Sequence, residues 1–264
     1  MTIPDVDFDH VAHAHTSVRE MARRYMGDLG AQFVAMGPNP GTYPLQYECG
    51  NGARLEAIEP HGVEDNDYLV RFLAKHGSGP HHITFVVPQM EAAVTATEAA
   101  GFRTMNVHLT GYREAFVHPK DAPGIVVQYI EKKTARYPGP ADLPQAKTVP
   151  ASFDFAAIAV TDLARPLAFF VDLLGGRETA RGQSDGADWI ELGWVGPGRV
   201  RLLVPDGAGS PVARRLDGRP SALDHLAFSL PDPSSVDKAV ALGDGRWEVA
   251  AADNWGLRLV ISTC

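Results

Sequence analysis

Four polar side chains of this chain stand in strand-like segments from which they could reach a common point. They are His10 in FDHVAHA, Glu56 in RLEAIEP, His82 in PHHITFVV and Gln128 in GIVVQYIE. Two imidazoles, a carboxylate and an amide oxygen make a plausible donor set for one divalent ion. Strand alternation puts His10, Ala12 and Ala14 on one face, and the small alanines leave room in front of the imidazole. His13 and His15 go to the opposite face and read as structural. His82 aligns with His10 when His-Ile and His-Val are superposed, and alternation sends its neighbour His81 to the other side. Glu56 lies four residues before Pro60. Gln128 lies among Val126, Val127, Tyr129 and Ile130, and a buried amide there needs a partner. Nine of the ten histidines precede residue 120, so any histidine chemistry belongs to the first half.

The elements that would carry these residues form an internal repeat. FDHVAHA (8–14), PHHITFVV (80–87), FDFAAIAV (153–160) and LDHLAFSL (223–230) each read as a strand. Helical patterns follow at 17–30, 90–101 and 163–176, each ended by glycine, with a shorter one at 234–245. In the first, Ser17 is a candidate N-cap, and Met21, Tyr25 and Leu29 recur every fourth residue. Hairpins then come at CGNG, DAPG, VGPG and DNWG, where glycine supplies the positive φ. The unit is strand, helix and several strands, present four times in an α+β chain. Residues 5–133 hold two units and 151–264 two more, with a Pro-rich linker at 134–150. Phe8 matches Phe153 and Gly30 matches Gly175, both at a spacing of 145. The second half then shortens, as a duplicated domain with deletions would, and by this alignment Phe155 replaces His10, Arg201 replaces Glu56 and Val260 replaces Gln128, so only His225 is left and the second half is expected to bind no metal.

Composition narrows the remaining classes. The net charge is -8 with no Lys/Arg run, which argues against nucleic acid and anionic membrane as partners. No apolar stretch approaches the roughly 18 residues of a membrane span. The N-terminus is acidic and polar, unlike a signal peptide, and two cysteines, Cys49 and Cys264, fit a reducing cytoplasm. No Gly-x-Ser-x-Gly, phosphate loop or dinucleotide fingerprint is present.

FDHVA, RLEAIEP followed by YLVRFLAKHG, PHHITFVV and HPKDAPGIVVQYIE together resemble the vicinal oxygen chelate (glyoxalase/bleomycin resistance/dioxygenase) superfamily, and within it methylmalonyl-CoA epimerase, over roughly residues 8–131. The resemblance implies four βαβββ modules forming two paired half-barrel sheets, with one metal in the first half. His10 and His82 fall on its two histidine ligands. Glu56 falls where the epimerase-like proteins place a glutamine, and Gln128 where nearly the whole superfamily places a glutamate. The exchange keeps one carboxylate in the set.

Three functions are open at this stage. The first is metal-assisted proton transfer on a small oxygen-bearing substrate, as in an epimerase, isomerase or lyase. The expected ion is Co, Ni, Mn, Fe or Zn, and the expected protein partner is a second copy in a homodimer. Gln128 cannot act as a base, nor can Gln46, which falls near the catalytic glutamate of the epimerases, so Glu48 and Glu56 are the candidate bases. The second is an iron-dependent ring-cleaving dioxygenase, which the four-unit length suits. The third is a metal-free binding or resistance protein, with Trp189, Trp194, Trp247 and Trp255 able to line an apolar pocket.

Overall fold

The computed structural model describes residues 2–64 and 66–264. Alternating strands and glycine turns build two eight-stranded mixed sheets, one from each half of the sequence. The first contains β1 (Asp7–Ala14), β2 (Gln32–Met36), β3 (Gly41–Glu48), β4 (Arg54–His61), β5 (Gly79–Val86), β6 (Thr104–His108), β7 (Glu114–Val117) and β8 (Val126–Ile130). Their order is β2-β3-β4-β1-β5-β8-β7-β6. The second contains β9 (Ser152–Val160), β10 (Arg177–Ser184), β11 (Ala187–Gly193), β12 (Arg199–Pro205), β13 (Ser221–Leu230), β14 (Val240–Gly243), β15 (Arg246–Val249) and β16 (Leu259–Thr263). Its order, β10-β11-β12-β9-β13-β16-β15-β14, repeats the first strand for strand. The four-module α+β organisation is therefore present. The chain forms two compact units, residues 1–9, 82–133 and 155–225 in one and 10–81, 134–154 and 226–264 in the other.

Helix α1 (Val18–Ala22) opens on Ser17, whose side chain accepts from the Glu20 amide, and continues as a π-helical stretch, Arg23–Asp28. The chain stops at Gly30, with φ +69°, where a Cβ would meet the Pro150 backbone at 2.9 Å. Met21, Tyr25 and Leu29 are all buried, as their spacing requires. Helix α2 (Tyr68–His76) has no counterpart among the helices the sequence pattern predicts. Its Leu69 is buried against Ala14 and Ile58, with Phe72 and Leu73 beside it. Helix α3 (Met90–Ala99) lies where its pattern puts it, and the 163–176 pattern becomes α4 (Ala164–Leu167) running into a second π-helical stretch, Ala168–Leu173.

The fourth module departs from expectation. Residues 234–245 form no helix beyond one 3-10 turn, Pro233–Ser235, and then strand β14. Pro231 and Pro233 punctuate the segment, Lys238 sits at φ +64°, and only Val236 is buried. One buried side chain gives a helix no apolar stripe to dock.

His13 shows how the opposite face of β1 is used. Its Nε2 donates to the Trp255 carbonyl at 2.9 Å, so its Nδ1 accepts from the Tyr25 hydroxyl at 2.9 Å. Burial lowers its pKa to about 4, against the Trp255 hydrogen bond, which raises it. In the unfolded chain the ring takes up a proton near its ordinary 6.5. Below that pH the unfolded state binds more protons, so stability falls as pH drops from 6.5 toward 4, by about 3 kcal/mol for this group. Urea unfolding at pH 7 and pH 4.5 should show this loss, and His13→Gln, which does not titrate, should have a visibly shallower acid slope. An unchanged slope would mean that His13 is not the group responsible.

Candidate metal centre

The register of the first sheet sets the donors two by two. Strand β1 pairs in parallel with β4, placing Ala12 opposite Glu56 with His10 two residues earlier on the same face. Strand β5 pairs in parallel with β8, placing Thr84 opposite Gln128 with His82 two residues earlier. The two arrangements are the same pattern used twice. His10, Glu56, His82 and Gln128 are all buried, and strands β1 and β5 are hydrogen-bonded neighbours.

The ligand atoms of His10, Glu56 and His82 lie within 4.8 Å of one another. Among the described residues, this is the group of three or more His, Cys, Asp or Glu side chains so placed. His10 Nε2 is 3.5 Å from Glu56 Oε2. Donors sharing one ion at about 2.1 Å lie roughly 3–4 Å apart, so small shifts would let all three share one. Glu56 Oε1 accepts from Gln46 Nε2 at 2.9 Å, across the β3–β4 register pair. The other end of that amide, Gln46 Oε1, is buried without a hydrogen-bond partner. An unsatisfied buried acceptor costs about 1–3 kcal/mol. A carboxylate, two imidazoles and an orphaned carbonyl oxygen make an acceptor-rich pocket, and this chemistry fits a divalent cation.

Gln128 is fully engaged. Its Oε1 accepts from the Thr84 hydroxyl at 2.7 Å, and its Nε2 donates to Glu114 Oε2 at 2.8 Å. Glu114 is a residue that sequence reasoning misses. The one signal available is alternation on β7, where Glu114 and Phe116 share a face and Phe116 pairs with Gln128. The Phe116 ring meets the His82 imidazole edge-to-face, centroids 6.0 Å apart. Glu48 lies outside the cluster. It accepts from Arg136 Nη2 at 2.5 Å and has Arg54 Nε at 3.5 Å. His81 faces α2 instead, with the Phe72 ring 4.7 Å away, and burial lowers its pKa to about 4 against the opposing pull of Glu56. Cys49 is buried and its thiol is pushed up to about 12 by that burial, which keeps it protonated and unreactive.

The second sheet repeats the register with other residues. Arg201 faces Ala157 as Glu56 faces Ala12, and Val260 faces Ala227 as Gln128 faces Thr84. The Arg201 guanidinium carbon sits 3.6 Å from the Phe155 ring centroid and 4.0 Å from that of Trp189. Its Nη2 donates to Glu191 Oε2 at 2.7 Å, across the register pair equivalent to Gln46 and Glu56. A fixed organic cation with its own carboxylate thus stands where the first sheet gathers His10, Glu56 and His82.

Residues 9–116 match the family model for the Glyoxalase/Bleomycin resistance/Dioxygenase superfamily. The superfamily resemblance read from the sequence is therefore shown over these residues, and the fold is glyoxalase-like. No curated protein sequence matches the chain. Among solved structures, a triple mutant of 4-hydroxymandelate synthase from Streptomyces coelicolor is 14% identical with a TM-score of 0.67, covering 97% of this chain and 92% of its own. That likeness is one of fold, and it runs through both sheets. Methylmalonyl-CoA epimerase from Mycobacterium tuberculosis is 23% identical over 48% of this chain and 88% of its own, with a TM-score of 0.43. A hypothetical protein from Bacillus halodurans C-125 is 26% identical over 51% of this chain and 99% of its own, with a TM-score of 0.44. Among the described residues no helix is long and apolar enough to cross a membrane.

Proposed function

We propose that this chain is a metal-dependent enzyme of the vicinal oxygen chelate type, holding a small oxygen-bearing substrate and moving a proton on it. The observation that carries the reading is the buried convergence of His10, Glu56 and His82. These three would hold the ion, with the Gln128 carbonyl oxygen as a fourth donor, and Co, Ni, Mn, Fe or Zn would suit the set. When bound, the ion supplies Lewis acidity to two adjacent substrate oxygens.

Glu56 is the carboxylate best placed to take the proton. Gln46 holds its Oε1, so Oε2 would be the basic atom once it leaves the ion. Glu48, on the strand β3 that also carries Gln46, is the second candidate, but its carboxylate is held by Arg136 and Arg54, outside the cluster. Burial around the cluster excludes water, which strengthens every charge interaction in it. In this reading residues 5–133 are the metal-binding domain, 134–150 connect, and 151–264 carry no metal.

Exchange of substrate α-protons with deuterated solvent tests the reading. 2-Oxo acids and acyl-CoA thioesters would be followed by NMR with and without metal. Exchange should require metal, and Glu56→Gln should lower it by about 100-fold or more. Metal-loaded protein that exchanges no candidate would end the proton-transfer reading.

A non-heme iron oxygenase is the second reading. Two histidines and one carboxylate with open positions form a ligand set used for ferrous oxygen chemistry. Oxygen uptake by the ferrous protein with catechols would favour it over proton transfer. A purified protein without stoichiometric metal would favour the third class, a metal-free binder.

A further inference from the structure

We propose that Glu114 is a positioning residue that forces Gln128 to turn its carbonyl oxygen, rather than its NH2 group, toward the metal centre. The inference rests on the metal reading above.

An amide has two ends of similar shape and opposite chemistry. Its oxygen can ligate a cation, whereas its NH2 group repels one. Thr84 cannot decide between them, because a hydroxyl donates or accepts equally well. A carboxylate oxygen only accepts. Glu114 Oε2 lies 2.8 Å from Gln128 Nε2, so the amide nitrogen is committed to it. The Thr84 hydroxyl then follows, donating to Gln128 Oε1 at 2.7 Å. Turning the amide over would set two acceptors against each other at the Glu114 contact and lose a charge-assisted hydrogen bond. That is a preference of roughly 10- to 100-fold for the observed orientation.

The backbone supplies the geometry. Strands β7 and β8 are antiparallel, Phe116 faces Gln128, and Glu114 lies one step along the same face of β7. Its carboxylate therefore reaches Gln128 diagonally. His108 Nδ1 lies 3.3 Å from Glu114 Oε1, on the oxygen that the amide does not use. The amide on β8 and the carboxylate on β7 are thus joined by one hydrogen bond.

The test is a cobalt titration of the purified full chain, read by the visible absorption of the bound ion and by competition with a chelator. Three proteins are compared: the natural chain, E114Q, and E114Q/Q128E. In E114Q the neighbour can accept or donate, so the orientation is no longer set. Cobalt affinity should fall about 10- to 100-fold, the usual range for a residue that holds a ligand in place. The double variant restores the hydrogen bond with reversed polarity and puts a carboxylate toward the centre. It should recover cobalt affinity to the natural level or above, and change the absorption band because a charged oxygen has joined the ligands. A role in folding alone would lower the urea stability of E114Q and leave the cobalt affinity of its folded form unchanged. E114Q binding cobalt as tightly as the natural chain would overturn the orientation role and leave the metal reading standing. A natural chain that binds no cobalt would overturn both.

Discussion

His10→Phe is expected to abolish stoichiometric metal binding while leaving the protein folded. The molecule already contains this substitution, because Phe155 occupies the equivalent place in the second sheet, packed edge-to-face on His225 with centroids 5.8 Å apart. The ring fills the space of a buried imidazole without leaving a cavity, so the cost to stability should stay near 1–2 kcal/mol. The donor count falls from two imidazoles and a carboxylate to one of each. Losing a direct ligand should raise the metal dissociation constant by at least about 100-fold, beyond the effect of changing a residue that only holds a ligand. His82→Ala should do the same with a larger stability loss, because it removes buried volume. His76→Ala, an exposed histidine on α2, should leave metal binding unchanged. Metal content by elemental analysis after dialysis checks all three. Retention of metal by either site variant would mean that the ion is held elsewhere.

Arg24→Met should be the most destabilising single change outside the site. Arg24 is buried on the π-helical stretch after α1. Its Nε donates to Asn254 Oδ1 at 3.2 Å, its Nη1 to Asp28 Oδ2 at 2.5 Å and to the Asp237 carbonyl at 2.7 Å, and its Nη2 to the Asp253 carbonyl at 3.4 Å. Burial holds the Asp28 carboxyl above its ordinary range, with Arg24 pulling the other way. Methionine keeps much of the side-chain volume but removes the guanidinium from the half-buried Asp28 carboxylate and leaves the buried Asn254 oxygen without its donor. Breaking a buried charge pair on one side costs about 3–5 kcal/mol, and urea unfolding should show a loss of that size. A change under about 1 kcal/mol would mean that solvent replaces the guanidinium freely. His10, Glu56 and His82 lie on other elements, so metal affinity at a temperature where the variant is folded should not move.

What is legible along the chain and what is hidden follow from the same physics. Alternation along β1 and β5 is a local property, so it separates His10 from His13 and His82 from His81 without any knowledge of the fold. The 145-residue spacing carries further, since it predicts that Phe155 and Arg201 stand in place of His10 and Glu56; beyond them the second half shortens, and the strand registers pair Val260 with Ala227 as Gln128 with Thr84. Glu114 is hidden because its meaning lies in a diagonal contact between two strands, which no pattern along one strand records. The helix at Tyr68–His76 is hidden for a related reason, because its buried face is set by Ala14 and Ile58 from distant strands. The helix expected in the fourth module rests on small residues such as Ala239 and Ala241, which support a helix only when an apolar face has something to cover. The ion pair of Glu48 is hidden because its partner, Arg136, comes from the segment that reads only as a linker.

If imidazoles 10 and 82 and the carboxylate of residue 56 hold one ion, anomalous diffraction from crystals grown with cobalt will locate it. One strong peak at bonding distance from His10, Glu56 and His82, and none near Phe155, Arg201 and His225, is the predicted result. Cobalt bound elsewhere, with no density among those three side chains, would contradict it.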